Sequence, residues 1–244
     1  MTVIGNTTLR FSEEQAMLQD VARDFCRDKS PIASVREHLE TDTGFDPAVW
    51  DEMVGLGWTG IALPESCGGS GLGVATVVPV VEAMGRSMLG TPLISSTLAA
   101  QALLRSDQSS RQEDTLAAIA AGTPATLALL ENGDWGDEAI RCTLAADGGL
   151  RGTKKFVSDA GVAGIFVVSV LHEGAPALAV VRASQLGAGA IREHTLIDQT
   201  RRSASVDFSG VSVDPDSVVT GPAVAVALRD VRLLGALLIA AEAT

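Results

Sequence analysis

Tyrosine is absent from this 244-residue chain, and its aromatic residues amount to six Phe and three Trp. Aliphatic side chains must therefore fill most of any core. Cationic residues are also few: 18 Lys and Arg stand against 30 Asp and Glu, a formal net charge of −12. No basic run is available to neutralise a line of phosphates, which excludes an extended nucleic-acid-binding face. A phosphorylated small molecule is not excluded, because backbone N–H groups and one or two Arg can bind phosphate locally. The three cysteines, Cys26, Cys67 and Cys142, are widely spaced and form no CxxC pair. A disulfide framework is not expected, and the reading is a reducing, cytoplasmic compartment. His38, His172 and His194 stand apart without metal-ligand spacing, so no metal site is expected. Residues 1–10 lack the apolar stretch of a signal peptide, and the apolar run at 233–241 is too short to span a bilayer. The GxSxG, GxxxxGK(S/T) and GxGxxG patterns are missing, which removes support for several enzyme classes.

What remains is a globular composition, 46% hydrophobic and 20% charged, in a chain long enough for one large domain or two small ones. Its first half has the helical period. Ser12 followed by Gln15 fits a capping box, and Phe11, Leu18, Val21, Ala22 and Phe25 recur at helical spacing, so a helix should run to about Lys29 before Pro31. Asp46-Pro47 is a second start, N-cap then first helical residue, with Val49, Trp50, Met53, Val54 and Leu56 as its apolar stripe. Further helical patterns cover 74–88, 92–104 and 113–121. Gly122-Thr123-Pro124 marks a boundary.

Beyond it the period changes. Segments 126–130, 139–145, 164–170, 177–182 and 203–208 are short and rich in Val, Ile, Leu and Thr. Asn132-Gly133, Asp147-Gly148-Gly149 and Glu173-Gly174 punctuate them, the turn chemistry of an antiparallel β domain. Residues 223–244 return to a helical pattern that is apolar on nearly all sides and must be covered by something. The predicted class is α+β: an N-terminal helical bundle (1–122), an antiparallel β-barrel or sandwich domain (123–222) and one C-terminal helix (223–244).

Three stretches carry a more specific signal. The glycine-rich run at 63–73, LPESCGGSGLG, is similar to the LPE-x-x-GG-x-G signature of acyl-CoA dehydrogenases. By its residues alone it could equally be a connector with no chemical role. The run Leu150-Arg151-Gly152-Thr153-Lys154-Lys155-Phe156-Val157-Ser158 resembles that family's L-x-G-x-K-x-(W/F)-(I/V)-(T/S) stretch. Taken alone it reads as a hairpin with a core Phe. The run beginning Asp198-Gln199-Thr200-Arg201-Arg202 resembles the D-x-T-R-R segment of actinobacterial-type members. Arg201 or Arg202 could meet a phosphate, with a surface charge or ion pair as the safer reading. The three stretches occur in family order, and the resemblance covers residues 11–244.

Membership would imply FAD as cofactor and α,β-dehydrogenation of an acyl-CoA thioester. It would also imply an electron-transfer flavoprotein as redox partner and a homo- or hetero-oligomer. By position, Phe156, Val157 and Ser158 inherit contacts to the flavin ring and its polar edge. Leu130 and Glu131 fall where the family's T-E-P run contacts cofactor and substrate, although only Glu131 of that run survives in Leu130-Glu131-Asn132-Gly133-Asp134-Trp135-Gly136-Asp137. Leu233 and Ala236 stand where fatty-acyl members carry an Asp and an Arg. The family's catalytic Glu lies beyond Thr244, so no catalytic residue is expected within the chain, and Glu242 reads as a structural residue. The alternative implied by these departures is a non-catalytic subunit or inactive relic paired with a complete dehydrogenase chain.

Overall fold

The computed structural model describes residues 12–106, 112–132 and 139–244. Phe11, residues 1–10 and the Gly133–Asp137 part of the T-E-P-like run lie outside the described residues.

The helical half begins as its local chemistry dictates. Ser12 Oγ accepts from the Gln15 N–H at 3.2 Å and Gln15 Oε1 accepts from the Ser12 N–H at 3.0 Å, opening helix α1 (Glu13–Lys29). Pro31, read as the stop of the first helix, is also the N-cap residue of a further helix, α2 (Ile32–Leu39). Proline breaks a helix only on its N-terminal side, since its fixed φ and missing N–H suit a helix start. Asp46 caps α3 (Pro47–Gly55) by accepting from the Ala48 N–H. Helices α4 (Val78–Arg86), α5 (Leu93–Leu104) and α6 (Glu113–Ala120) complete the bundle. Side chains of the bundle hold its end, Trp50 Nε1 donating to the Gly122 carbonyl of the boundary and Thr59 Oγ1 to the Ala120 carbonyl of α6.

Among the described residues nine strands follow: β1 (Ala125–Ala128), β2 (Thr143–Leu144), β3 (Leu150–Arg151), β4 (Thr153–Ser158), β5 (Ile165–His172), β6 (Ala175–Arg182), β7 (Ile191–Glu193), β8 (Ser203–Asp207) and β9 (Val218–Val219). They form two sheets, a six-stranded one around β5 and β6 and a three-stranded one ordered β4-β8-β7. The larger sheet is mixed rather than antiparallel throughout, because β1 and β2 both run parallel to β5. The sequence period fixes which residues face inward but carries no information on strand direction. Between the sheets Phe166, Val168 and Ala179 meet Val157, Ala204 and Val206, with Phe166 and Phe208 packed edge to face at 5.8 Å. The opposite face of the large sheet, including Ile165, Val167, Leu178 and Val180, packs on helical residues such as Leu103, Leu116 and Ile119. Strand β5 is therefore covered on both sides, which explains its unbroken apolar run.

The last helix, α7 (Ala223–Glu242), packs against α4 and α5. It buries Val224, Leu228, Val231, Leu234 and Leu238, while Val226, Leu233, Leu237 and Ile239 remain half or more exposed. Gly85 of α4 permits the approach, since a Cβ there would overlap the Glu242 carbonyl.

Candidate functional site

The glycine-rich run and the β4 region, both singled out by sequence, take different parts. Residues 63–73 form a knot closed by its own backbone. The Gly69 N–H donates to the Pro64 carbonyl at 3.0 Å, that of Ser70 to Gly60 at 2.9 Å and that of Gly71 to Leu63 at 2.8 Å. Gly69 has no room for a side chain, because a Cβ would collide with the Leu63 backbone. Cys67 is buried beneath it against the helical core. No residue of the knot lines the cleft described next.

That cleft, about 640 Å³, lies where the bundle, the β domain and α7 meet. Helix α5 supplies Ile94, Ser95 and Leu98, and Thr91 precedes it. Strand β1 supplies Thr126 and Leu127, and β4 supplies Phe156 and Ser158 followed by Asp159. Leu196, Asp198, Arg201, Arg202 and Ser203 form another wall, and Ile239, Glu242 and Ala243 come from the end of α7. Its lining is predominantly apolar, with hydroxyl and carboxyl groups at fixed places, the usual makeup of an organic-ligand site.

Local bonds hold the walls. Thr126 Oγ1 donates to the Ser158 carbonyl at 2.7 Å, tying β1 to β4. Phe156 stands edge to face with His194, ring centroids 5.3 Å apart, and His194 Nε2 lies 2.8 Å from Ser205 Oγ. Phe156 and Asp159 both take positive φ, 53° each, a conformation that non-glycine residues hold only when surroundings fix it. Ser95 Oγ donates to Asp159 Oδ2 at 2.6 Å, linking α5 to the end of β4. Burial pushes the Asp159 carboxyl up from 3.8 to about 6, reinforced by Glu242 and opposed by the Ser95 hydrogen bond and by Arg201 and Arg202. The Thr91 hydroxyl is buried without a hydrogen-bond partner, an open polar position beside the cleft.

The two adjacent arginines diverge. The Arg202 guanidinium donates to the carbonyls of His38 and Leu39, both at 3.1 Å, and of Thr41 at 2.8 Å. It thereby caps the negative end of α2 from the other half of the chain. Arg201 is ion-paired with Glu242 across the cleft. Glu242 Oε1 has no aligned hydrogen bond, so the pair is held by charge more than by directional bonding. The ion pair that the sequence allowed is formed by Arg201, whereas Arg202 is committed to backbone carbonyls.

Of the five residues expected at a cofactor, the cleft gathers Phe156 and Ser158. Val157 points the other way and is 1% exposed in the β core. Leu130 and Glu131 are not among the lining residues. The Leu130 carbonyl accepts from the Lys155 N–H at 2.7 Å, and the Glu131 carboxylate is committed to Lys154 and to the Arg141 and Cys142 N–H groups. The sequence reading missed Ser95, Asp159 and the α5 wall. Asp159 directly follows Ser158 and could have been suspected; nothing local pointed to α5.

An all-helical half, a two-sheet β domain, a returning helix and a cleft at their junction define the acyl-CoA dehydrogenase architecture. Residues 12–123 match the family model described as the acyl-CoA dehydrogenase N-terminal domain. A curated relative, the acyl-CoA dehydrogenase IpdE2 of Mycolicibacterium smegmatis, is 31% identical over 141 residues, 56% of this chain and 43% of its own. Among solved structures, the Tcur3481–Tcur3483 steroid ACAD G363A variant superposes with a TM-score of 0.79 at 29% identity, covering 94% of this chain and 62% of that one. The ChsE4–ChsE5 complex of Mycobacterium tuberculosis gives 0.79 at 26%, covering 94% and 63%. The chain thus spans less than half the length of that curated relative and under two thirds of these structural ones.

Proposed function

We propose that the chain is the flavin-facing part of an FAD-dependent acyl-CoA dehydrogenase acting on an acyl-CoA thioester. The observation that carries this reading is the convergence of Phe156 and Ser158 with Ile94 and Leu98 on one cleft. The residues suit a flavin ring: Phe156 offers an apolar wall, and Ser158, Thr126 and the unpartnered Thr91 hydroxyl offer polar groups at its edges. When bound, FAD supplies the hydride acceptor that no side chain can provide. The chain's own part is to wall and orient. Ile94, Leu98 and Ile239 exclude water around an acyl group, and dry surroundings strengthen every polar contact made there. Electrons would leave to an electron-transfer flavoprotein.

An absorption spectrum of the purified protein, before and after addition of FAD, tests the reading. Near-equimolar flavin with a resolved, protein-perturbed visible band is expected. A colourless protein that takes up no added FAD rejects it.

A second reading, a non-catalytic subunit paired with a complete dehydrogenase chain, is favoured by the exposed Val226, Leu233, Leu237 and Ile239 of α7. Such a face resembles an interface more than a solvated surface. Two of the structural relatives carry paired names, Tcur3481–Tcur3483 and ChsE4–ChsE5. Co-expression with a candidate partner separates the readings: stable association without flavin uptake supports the second.

A further inference from the structure

Strand β4 changes face once, and that change decides what the cleft meets. Lys154 is fully buried and Lys155 exposed. Side chains of a regular strand alternate, so Phe156 would return to the buried side with Lys154 and Val157 would point away from it. The pairing of β4 with β8 instead slips between Lys154 and Val157. Phe156 takes its positive φ within the slip, Val157 becomes the core residue, and Phe156 and Ser158 both reach the cleft. This is a β-bulge, the device by which one inserted residue re-aims those after it.

The bulge is gripped from the end of β1. Lys154 Nζ donates to the Leu129 carbonyl at 3.2 Å, to Ser169 Oγ at 2.8 Å and to the Glu131 carboxylate. The next residue's N–H donates to the Leu130 carbonyl. Glu131 is fixed in turn by the Arg141 N–H at 2.8 Å and the Cys142 N–H at 3.0 Å. All three ammonium protons have acceptors. Buried ion pairs seldom add stability over an apolar substitute, and their best-attested use is to specify register.

We propose that the Lys154–Glu131 ion pair is a register lock: two positioning residues that hold the β4 bulge and so present Phe156 and Ser158 to the cleft. Its value for cofactor binding rests on the flavin reading above; the lock itself does not.

Thiol accessibility tests it without flavin. The native Cys26, Cys67 and Cys142 are all buried, so labelling of an introduced thiol stands above background. Ser158→Cys and Val157→Cys are each made in the otherwise native chain and again with Lys154→Met, and maleimide labelling rates are compared. With Lys154 present, Ser158→Cys should label at least about tenfold faster than Val157→Cys, as an exposed thiol does against a buried one. With Lys154→Met the ratio should collapse or invert while circular dichroism reports a native fold. Mere loosening would raise both rates together and leave the preference in place. An unchanged ratio in the folded variant overturns the proposal. If Lys154→Met does not fold, Lys154→Met/Glu131→Leu removes both charges and is read in the same way. FAD added to the wild type separates the two claims. A collapsing ratio without flavin uptake keeps the lock and rejects the flavin reading, and uptake with an unchanged ratio does the reverse.

Discussion

The glycine knot at 63–73 and the β4 bulge both match patterns of one family, yet they do opposite work. The knot closes its backbone bonds on itself and on the adjoining Gly60 and Ile61, and ends in packing, with Gly69 pressed on the Leu63 backbone and Cys67 buried below. The bulge sends Phe156 and Ser158 outward into a cleft. A recognisable pattern thus marks where backbone geometry is constrained, whether the constraint serves the core or a ligand.

The comparison can be broken most severely at the lock. Lys154→Met leaves Glu131 buried without its cation and should cost about 3–5 kcal/mol in urea unfolding. The double replacement Lys154→Met/Glu131→Leu should recover most of that loss, because two apolar side chains need no partners. In the knot, Gly69→Ala should cost about 1–3 kcal/mol through overpacking, with FAD affinity unchanged in the folded protein. A drop in flavin binding as large as that from a cleft variant would make the knot a site after all.

Phe156→Ala should show the reverse pattern, a stability change of about 1–2 kcal/mol for a partly buried ring and a loss of FAD affinity of about tenfold or more. Fluorescence titration of FAD measures it.

A pH effect concerns the Ser95–Asp159 link. The folded-state carboxyl sits at about 6 against an ordinary 3.8, so between these values the folded protein holds a proton that the unfolded chain releases. Stability should therefore fall as pH rises from about 4 to 6, by up to about 3 kcal/mol. Asp159→Asn should flatten that part of the profile, measured as thermal midpoint against pH.

Much of the fold was legible because its signals are local. Ser12 with Gln15 and Asp46 with Pro47 each open a helix within one turn of chain, and the change of period after Gly122 marks the start of the strands. The second helix was missed because Pro31 was read as a stop when it serves equally as a start. The parallel course of β1 and β2 beside β5 was missed because alternation says nothing of direction. Within the candidate site, the cleft brings together Phe156 and Ser158 of the five residues expected at a cofactor, whereas Val157, Leu130 and Glu131 lie outside its lining. A one-residue bulge reverses sidedness, and no residue pattern announces it.

The sequence by itself determined the order of helical and β segments, the helix starts and the family resemblance. Tertiary structure alone decided that Arg202 caps α2, that Arg201 pairs with Glu242, and that α5 and Asp159 belong to the same cleft as Phe156. The physical reason is distance along the chain. Capping, turns and periodicity act within a few residues, whereas these contacts join groups from about 40 to more than 160 positions apart, and only packing brings them together.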